Sequence, residues 1–161
     1  MGEPRYNPMG YHTGSVWPHD DALIASGMRH YGISAPSLRI FAGFFPAAMT
    51  CDLYRIPELY CGFPRQPGEV PVAYPVACAP QAWSAAALFL LFQASLGLSV
   101  NALDRKITLH RPSLPPFLHQ VSISCLAVQD ATVDLIIVRH EDDISVHVAD
   151  QKGKLDVVVL P

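Results

Sequence analysis

The spacing of hydrophobic residues changes about two thirds of the way along the chain. In the first part apolar residues recur at helical spacing, as at Leu38, Phe41 and Phe45, whereas later they alternate with polar residues. Charged residues are sparse before this change and frequent after it. We therefore predict a helical region over residues 1–103 and a small antiparallel β-rich domain over residues 104–161.

Three helices are predicted in the first region. The first begins at Pro18, because proline fits the first turn of a helix and the acidic Asp20 behind it interacts favourably with the positive end of the helix dipole. The second opens at Ser34, and Pro46 is expected to kink it or to end it early. The third, residues 81–95, is apolar all round, which is typical of a helix buried between two layers.

The third helix raises the question of a membrane span, because residues 70–103 carry no charge. Its apolar part is only about 15 residues long, whereas a span needs roughly 20. Gln93 interrupts it, and no basic flank fixes an orientation in a bilayer. We therefore predict no membrane helix.

Strands are predicted throughout the second region. The polar loops at residues 141–143 and 150–153 suit hairpin turns between neighbouring strands. The expected arrangement is an antiparallel meander. The predicted strands are residues 106–110, 121–128, 132–139, 144–149 and 155–160.

Composition and charge narrow the classes of function. Half of the 161 residues are hydrophobic, enough for a packed core, and the net charge of −3 provides no cationic surplus for binding DNA or RNA. The four cysteines form no Cys-x-x-Cys pair, and the sequence starts without a cleavable signal. His12 and His19 lack the spacing and the further ligands of a zinc site. We predict a cytoplasmic protein with reduced cysteines, without a nucleic-acid partner, metal or cofactor.

Residues 11–21 combine aromatic, imidazole, hydroxyl and carboxylate groups in one turn-rich stretch. A sugar needs paired donors and acceptors for its hydroxyls and an aromatic face for its C–H surface, and Trp17, His19 and Asp20 can supply both. The alternative is that His12, His19 and Asp20 form a hydrogen-bond network that caps the first helix.

Glu58 lies at the head of a long stretch rich in proline and glycine, residues 55–79. A carboxyl group in mostly apolar surroundings acquires a tunable pKa, which makes Glu58 a candidate for proton transfer. The alternative is a structural carboxylate that pairs with Arg55 or Arg65. Further along, Trp83 fits either a packing role or a ligand role.

Three motifs in a fixed order give the chain a family resemblance. The motifs are Asn7-Pro-Met-Gly-Tyr-His-Thr-Gly-Ser-Val-Trp-Pro-His-Asp20, Pro57-Glu-Leu-Tyr-Cys-Gly-Phe-Pro-Arg65 and Pro80-Gln-Ala-Trp-Ser-Ala-Ala86. With these motifs, residues 5–100 resemble the C-terminal end of the catalytic domain in bacterial amylo-α-1,6-glucosidases, the glycogen debranching enzymes related to glucoamylases and mannosylglycerate-hydrolase-like glycosidases. The strand-rich tail more weakly resembles the small β appendage that often follows.

The resemblance implies a fold and a chemistry. Residues 1–103 would be the C-terminal portion of a six-hairpin (α/α)6 toroid, so the expected fold class is a mainly α partial toroid followed by the small antiparallel β domain. The reaction would be inverting hydrolysis of an oligosaccharide or glucan, with Glu58 as the general base. The implied sugar contacts, completed by three further residues of the second and third motifs, are His12, Trp17, His19, Asp20, Tyr60, Arg65 and Trp83.

In this family the general acid belongs to an earlier helix pair. The resemblance therefore implies a fragment that is inactive alone and is completed by an upstream chain. The competing hypothesis is a non-catalytic carbohydrate-binding or protein-interaction module, in which the strand-rich tail docks on a glycan or partner and the helices act as a scaffold.

Overall fold

The computed structural model of the chain describes residues 4–66, 68–141 and 143–161. The chain divides into two units, Met1–Phe92 and Gln93–Pro161. The first unit carries the candidate site and the second carries all six strands.

The first unit is built on helices joined by long ordered loops. Helix α1, Pro18–His30, begins at the predicted proline. Helix α2, Ser34–Ala48, continues two residues beyond Pro46, and helix α3 is Ala82–Leu96. A short 3-10 helix, Asp52–Tyr54, follows α2.

Aromatic and small side chains hold these helices together. Helix α1 packs against α2, and its fully buried residues include Ala22 and Ala25, whose small side chains allow a close approach. Helix α2 contacts α3 through Phe41 and Phe92, whose ring centres lie 4.6 Å apart in an edge-to-face arrangement. Contrary to the sequence prediction, α3 is not buried all round, since Phe89 is 78% exposed.

The stretch between α2 and α3 is ordered by backbone pairing with the loop before α1. Val16 and Tyr60 exchange two backbone hydrogen bonds of 2.9 and 3.0 Å, and Tyr60 also bridges to Ala73. Three extended segments thus lie side by side, each from a different part of the sequence. This pairing brings the first two sequence motifs together.

The described residues of the second unit form six strands in two sheets. One sheet has the order β1-β2-β6 and the other β3-β4-β5. Strand β6 pairs in parallel with β2, and the remaining pairs are antiparallel. The strands are β1 Leu98–Asn101, β2 Lys106–His110, β3 Gln120–Val128, β4 Ala131–Arg139, β5 Ile144–Lys152 and β6 Asp156–Leu160.

Strand β4 is central to the core of this unit. Every second side chain from Ala131 to Ile137 is buried, as expected for a strand with one face inward. These residues join a single apolar cluster with Ile107 and Leu109 of β2 and Leu155.

The predicted fold class is wrong. The described residues form three α-helices, and the chain between α2 and α3 is an irregular segment rather than further helical hairpins, so there is no (α/α)6 toroid among them. Prolines and glycines prevent helix formation in this segment. The chain is also not mainly helical, and its strands do not form one antiparallel meander, because β6 leaves β5 to pair in parallel with β2. None of the helices within the described ranges is long and apolar enough to cross a membrane.

Candidate functional site

Glu58 is held by hydrogen bonds at both its side chain and its backbone. The hydroxyl of Tyr11 donates to Oε1 over 2.6 Å, and the backbone N–H of Cys78 donates to Oε2 over 3.2 Å. The Glu58 N–H donates to the Cys78 carbonyl over 2.9 Å, and Ser84 Oγ of α3 donates to the Glu58 carbonyl over 3.1 Å. With 8% of its surface exposed, Glu58 is one of few buried polar residues. It is therefore a fixed carboxyl group rather than a loop side chain in bulk solvent.

These hydrogen bonds shift the pKa values of Glu58 and Tyr11 in opposite directions. The Tyr11 hydroxyl lowers the pKa of Glu58 most, the backbone N–H and the thiol of Cys78 lower it further, and burial opposes them. In return, the bond to Glu58 raises the pKa of Tyr11 to about 12, with burial adding to the shift. Glu58 is thus ionised and Tyr11 protonated at neutral pH. An ionised carboxylate is suited to accept a proton and unsuited to donate one.

An aromatic cluster surrounds this pair. The ring of Tyr11 contacts Trp17 edge to face at 4.9 Å between centres and Tyr74 at 5.6 Å. His12 lies parallel to Trp17 at 6.2 Å, and Trp17 Nε1 donates to the Tyr11 carbonyl over 3.2 Å. The first motif thus places two predicted sugar contacts, His12 and Trp17, against the partner of Glu58.

His19 links this cluster to the third motif. Its ring stacks on Trp83 at 4.9 Å between centres, and its edge faces Trp17 at 6.2 Å. Nε2 of His19 lies 3.0 Å from Asp20 Oδ1, while its buried Nδ1 has no hydrogen-bond partner. His19 therefore has one ring nitrogen oriented by a carboxylate and the other available to a ligand hydroxyl. Trp83, 47% exposed, presents aromatic surface beside it.

Glycines allow the two motif segments to approach each other. A Cβ on Gly62 would overlap the carbonyl oxygen of Gly14, and a Cβ on Gly14 would overlap that of Asn7. The Tyr6 hydroxyl also donates to the Gly62 carbonyl at this crossing. Any larger residue at Gly62 would push apart the segments that carry Tyr11 and Glu58, whereas one at Gly14 would disturb the loop within the first motif.

Tyr60 and Arg65 line a different space from the one expected. Both belong to the lining of a cavity of about 280 Å³ that α2 borders. Nη2 of Arg65 donates to the Gly43 carbonyl of α2 over 3.0 Å, and the hydroxyl of Tyr60 lies 3.6 Å from Cys51 Sγ. Neither side chain makes a described contact with the Glu58 carboxylate, whose donors are Tyr11 and Cys78.

The two acids at the start of α1 differ in environment. Asp20 is exposed and paired with His19. Asp21 lines the cavity with Tyr60 and Arg65, where burial first and the neighbouring Asp20 second raise its pKa. Neither touches Glu58 through a described hydrogen bond.

Tyr11, Tyr74 and Cys78 belong to this site, but none of them was predicted from the sequence as a catalytic or sugar-binding residue. The place of Tyr11 in the first motif indicated that it could belong to the site. Its hydrogen-bond partner Glu58 could not be predicted, because it lies 47 residues away in the sequence. Cys78 acts mainly through its backbone, which no side-chain pattern reveals. Within the part of the chain that is described, no group of three or more His, Cys, Asp or Glu side chains is arranged to hold a metal ion.

Comparison with known proteins finds no matching family model and no matching curated protein.

Proposed function

We propose that the first unit carries the general-base side of an inverting glycoside hydrolase site, of the amylo-α-1,6-glucosidase, glycogen-debranching type, and that the chain is the C-terminal portion of such an enzyme. The observation that supports this most is the buried Glu58 carboxylate, which is oriented by Cys78 and by Tyr11, whose ring in turn contacts Trp17. The carboxylate is ionised at neutral pH, which is the protonation state that a general base needs.

The proposed reaction assigns one role to Glu58. Its carboxylate takes a proton from a water molecule, and the water oxygen attacks the anomeric carbon while the bond to the leaving oxygen breaks. A second carboxyl group protonates that oxygen from the opposite face of the sugar, at a carboxyl separation of about 6.5–9.5 Å. We propose that this acid comes from an upstream segment or chain, because Asp20 is already paired with His19 and Asp21 lies in the Arg65 cavity.

The aromatic and imidazole groups would bind the sugar. Trp83 and Trp17 offer faces for C–H stacking, and the free Nδ1 of His19 offers a hydrogen bond to a hydroxyl. Tyr60 and Arg65 are left out of this proposed set because they line another cavity.

The two tryptophans report directly on this proposal, since both belong to the cluster and they are the only tryptophans of the sequence. We expect maltotriose to change the tryptophan fluorescence of the full chain saturably, and Trp83→Ala to weaken binding at least fivefold. Phe89→Ala, an exposed aromatic of the same helix, is the matched control. An unchanged spectrum at millimolar maltotriose would contradict the proposal.

Catalysis is tested separately. We expect the 161-residue chain alone to release no glucose from maltooligosaccharides. In an active form that includes the general acid, Glu58→Gln is expected to lower turnover about 10²-fold or more, because the amide cannot accept the proton. Near-normal turnover would remove Glu58 from the mechanism.

A further inference from the structure

The cavity bordered by α2 has the size and lining of a ligand site. Its volume of about 280 Å³ suits a small molecule of single-ring size. It lies wholly within the first unit, and apolar residues form most of its lining. Its lining includes Asp21, Arg39, Phe44, Tyr60, Phe63 and Arg65.

Arg65, which lines this cavity, has one buried guanidinium nitrogen without a hydrogen-bond partner. Nη2 is fixed by the Gly43 carbonyl at 3.0 Å, but Nη1 is buried without a partner. A guanidinium group keeps its charge at every accessible pH, so it cannot relieve this by losing a proton. An unsatisfied buried donor is unfavourable, and a bound acceptor would remove that cost.

The charges around the cavity favour an anion. Two arginines, Arg39 and Arg65, line it against a single acid, Asp21. Neither of the two ion pairs found among the described residues joins Asp21 to an arginine. Burial first and the nearby Asp20 second raise the pKa of Asp21.

The remaining lining favours an apolar body on the ligand. Phe44 and Phe63 contribute aromatic surface, and Tyr60 contributes a ring with a hydroxyl at its tip. A planar carboxylate matches the geometry of a guanidinium group better than a sugar hydroxyl does.

We propose that this cavity is a binding site for a small organic carboxylate with an apolar body, which Arg65 binds through its free Nη1. The site is separate from the Glu58 cluster and does not depend on the proposed glycosidase function.

Benzoate is a suitable probe, and benzamide is its neutral counterpart of the same shape. We expect ligand-observed NMR on the full chain to show saturable benzoate binding, at least fivefold tighter than benzamide. Arg65→Gln should weaken benzoate binding at least fivefold, Arg65→Lys should retain part of it, and Arg5→Gln, which removes an exposed charge elsewhere, should leave it unchanged. Equal binding of the two probes, or equal binding by Arg65→Gln, would overturn the proposal.

A measurement on the wild-type chain covers the case in which Arg65→Gln fails to fold. Benzoate should shift the backbone NMR signals of Ile40, Phe44 and Phe63, which line the cavity. Shifts confined to other parts of the chain, or no saturable shifts, would overturn the proposal.

Discussion

The hydroxyl of Tyr11 donates a 2.6 Å hydrogen bond to Oε1 of Glu58, and this contact joins two motifs that are 47 residues apart. Glu58 receives its second side-chain bond from the backbone of Cys78 on a third segment. The carboxylate is therefore fixed by the folding of the whole first unit rather than by its own loop.

Removing the Tyr11 hydroxyl should raise the pKa of Glu58. The hydroxyl is the largest cause of the lowered value, so Tyr11→Phe should move the titration of Glu58 towards the ordinary glutamate range. Side-chain ¹³C NMR of glutamate-labelled protein measures this. Tyr74→Phe is the control, because it removes a hydroxyl from the same aromatic cluster without a bond to Glu58. An equal titration of Glu58 in wild type and Tyr11→Phe would contradict the assignment.

The same bond should make stability depend on pH in the acidic range. The pKa of Glu58 is lower in the folded state than in the unfolded state, so the unfolded chain takes up its proton first as pH falls. The stabilisation is full above the pKa that Glu58 has in the unfolded chain. It is lost as the pH falls through the pKa that Glu58 has in the folded chain. Denaturant unfolding should therefore give wild type a higher free energy of unfolding than Tyr11→Phe at neutral pH. This difference should disappear in acid. A difference in the free energy of unfolding that stays constant with pH would show that the Tyr11 hydroxyl stabilises the fold independently of the charge on Glu58.

Gly62→Ala should destabilise the first unit by about 1–3 kcal/mol, the range for a side chain forced into a filled space. Its Cβ would overlap the carbonyl oxygen of Gly14, so the segments carrying Tyr11 and Glu58 must separate. Gly27→Ala in α1 is the control: its Cβ meets nothing, and it should stabilise the helix by about 0.5–1 kcal/mol. Thermal and denaturant unfolding measure both variants. Equal effects of the two substitutions would contradict the close approach.

In the second unit, Ile137→Ala should lower the free energy of unfolding by about 2–5 kcal/mol, because it leaves a cavity in the core. Ile137 of β4 has no exposed surface. Leu103→Ala, at a residue 91% exposed, should change stability little. Similar losses for both variants, measured by urea unfolding, would contradict the burial of β4.

Local sequence patterns predicted those helices and strands whose bounds depend mainly on neighbouring residues. Helix α1 begins at Pro18, as its proline and acidic residues indicated. The alternation of residues predicted β3 and β4 to within a residue at each end. Strand β1 was missed because its four residues are too few to show a period. Pro46 lies only two residues from the end of α2, so the backbone hydrogen bond that it removes leaves nearly the whole helix before it intact.

Long-range partners were not predictable in the same way. The apolar, β-branched run of β6 predicts a strand but does not choose its neighbour, which is β2 rather than β5. The (α/α)6 toroid came from a family resemblance, and no local pattern tested it. At the site, the motifs indicated Glu58, Trp17 and His19 by type, but the Tyr11 contact and the separate cavity of Arg65 depend on chain folding.

The most direct test of the proposed site follows the side-chain carboxyl carbon of Glu58 by NMR while maltotriose is added at neutral pH. The account predicts a resonance typical of an ionised carboxylate in the free protein and a saturable shift with the sugar that Trp83→Ala weakens. A Glu58 resonance that does not respond to maltotriose, in a chain that is folded by the same spectrum, would contradict the account.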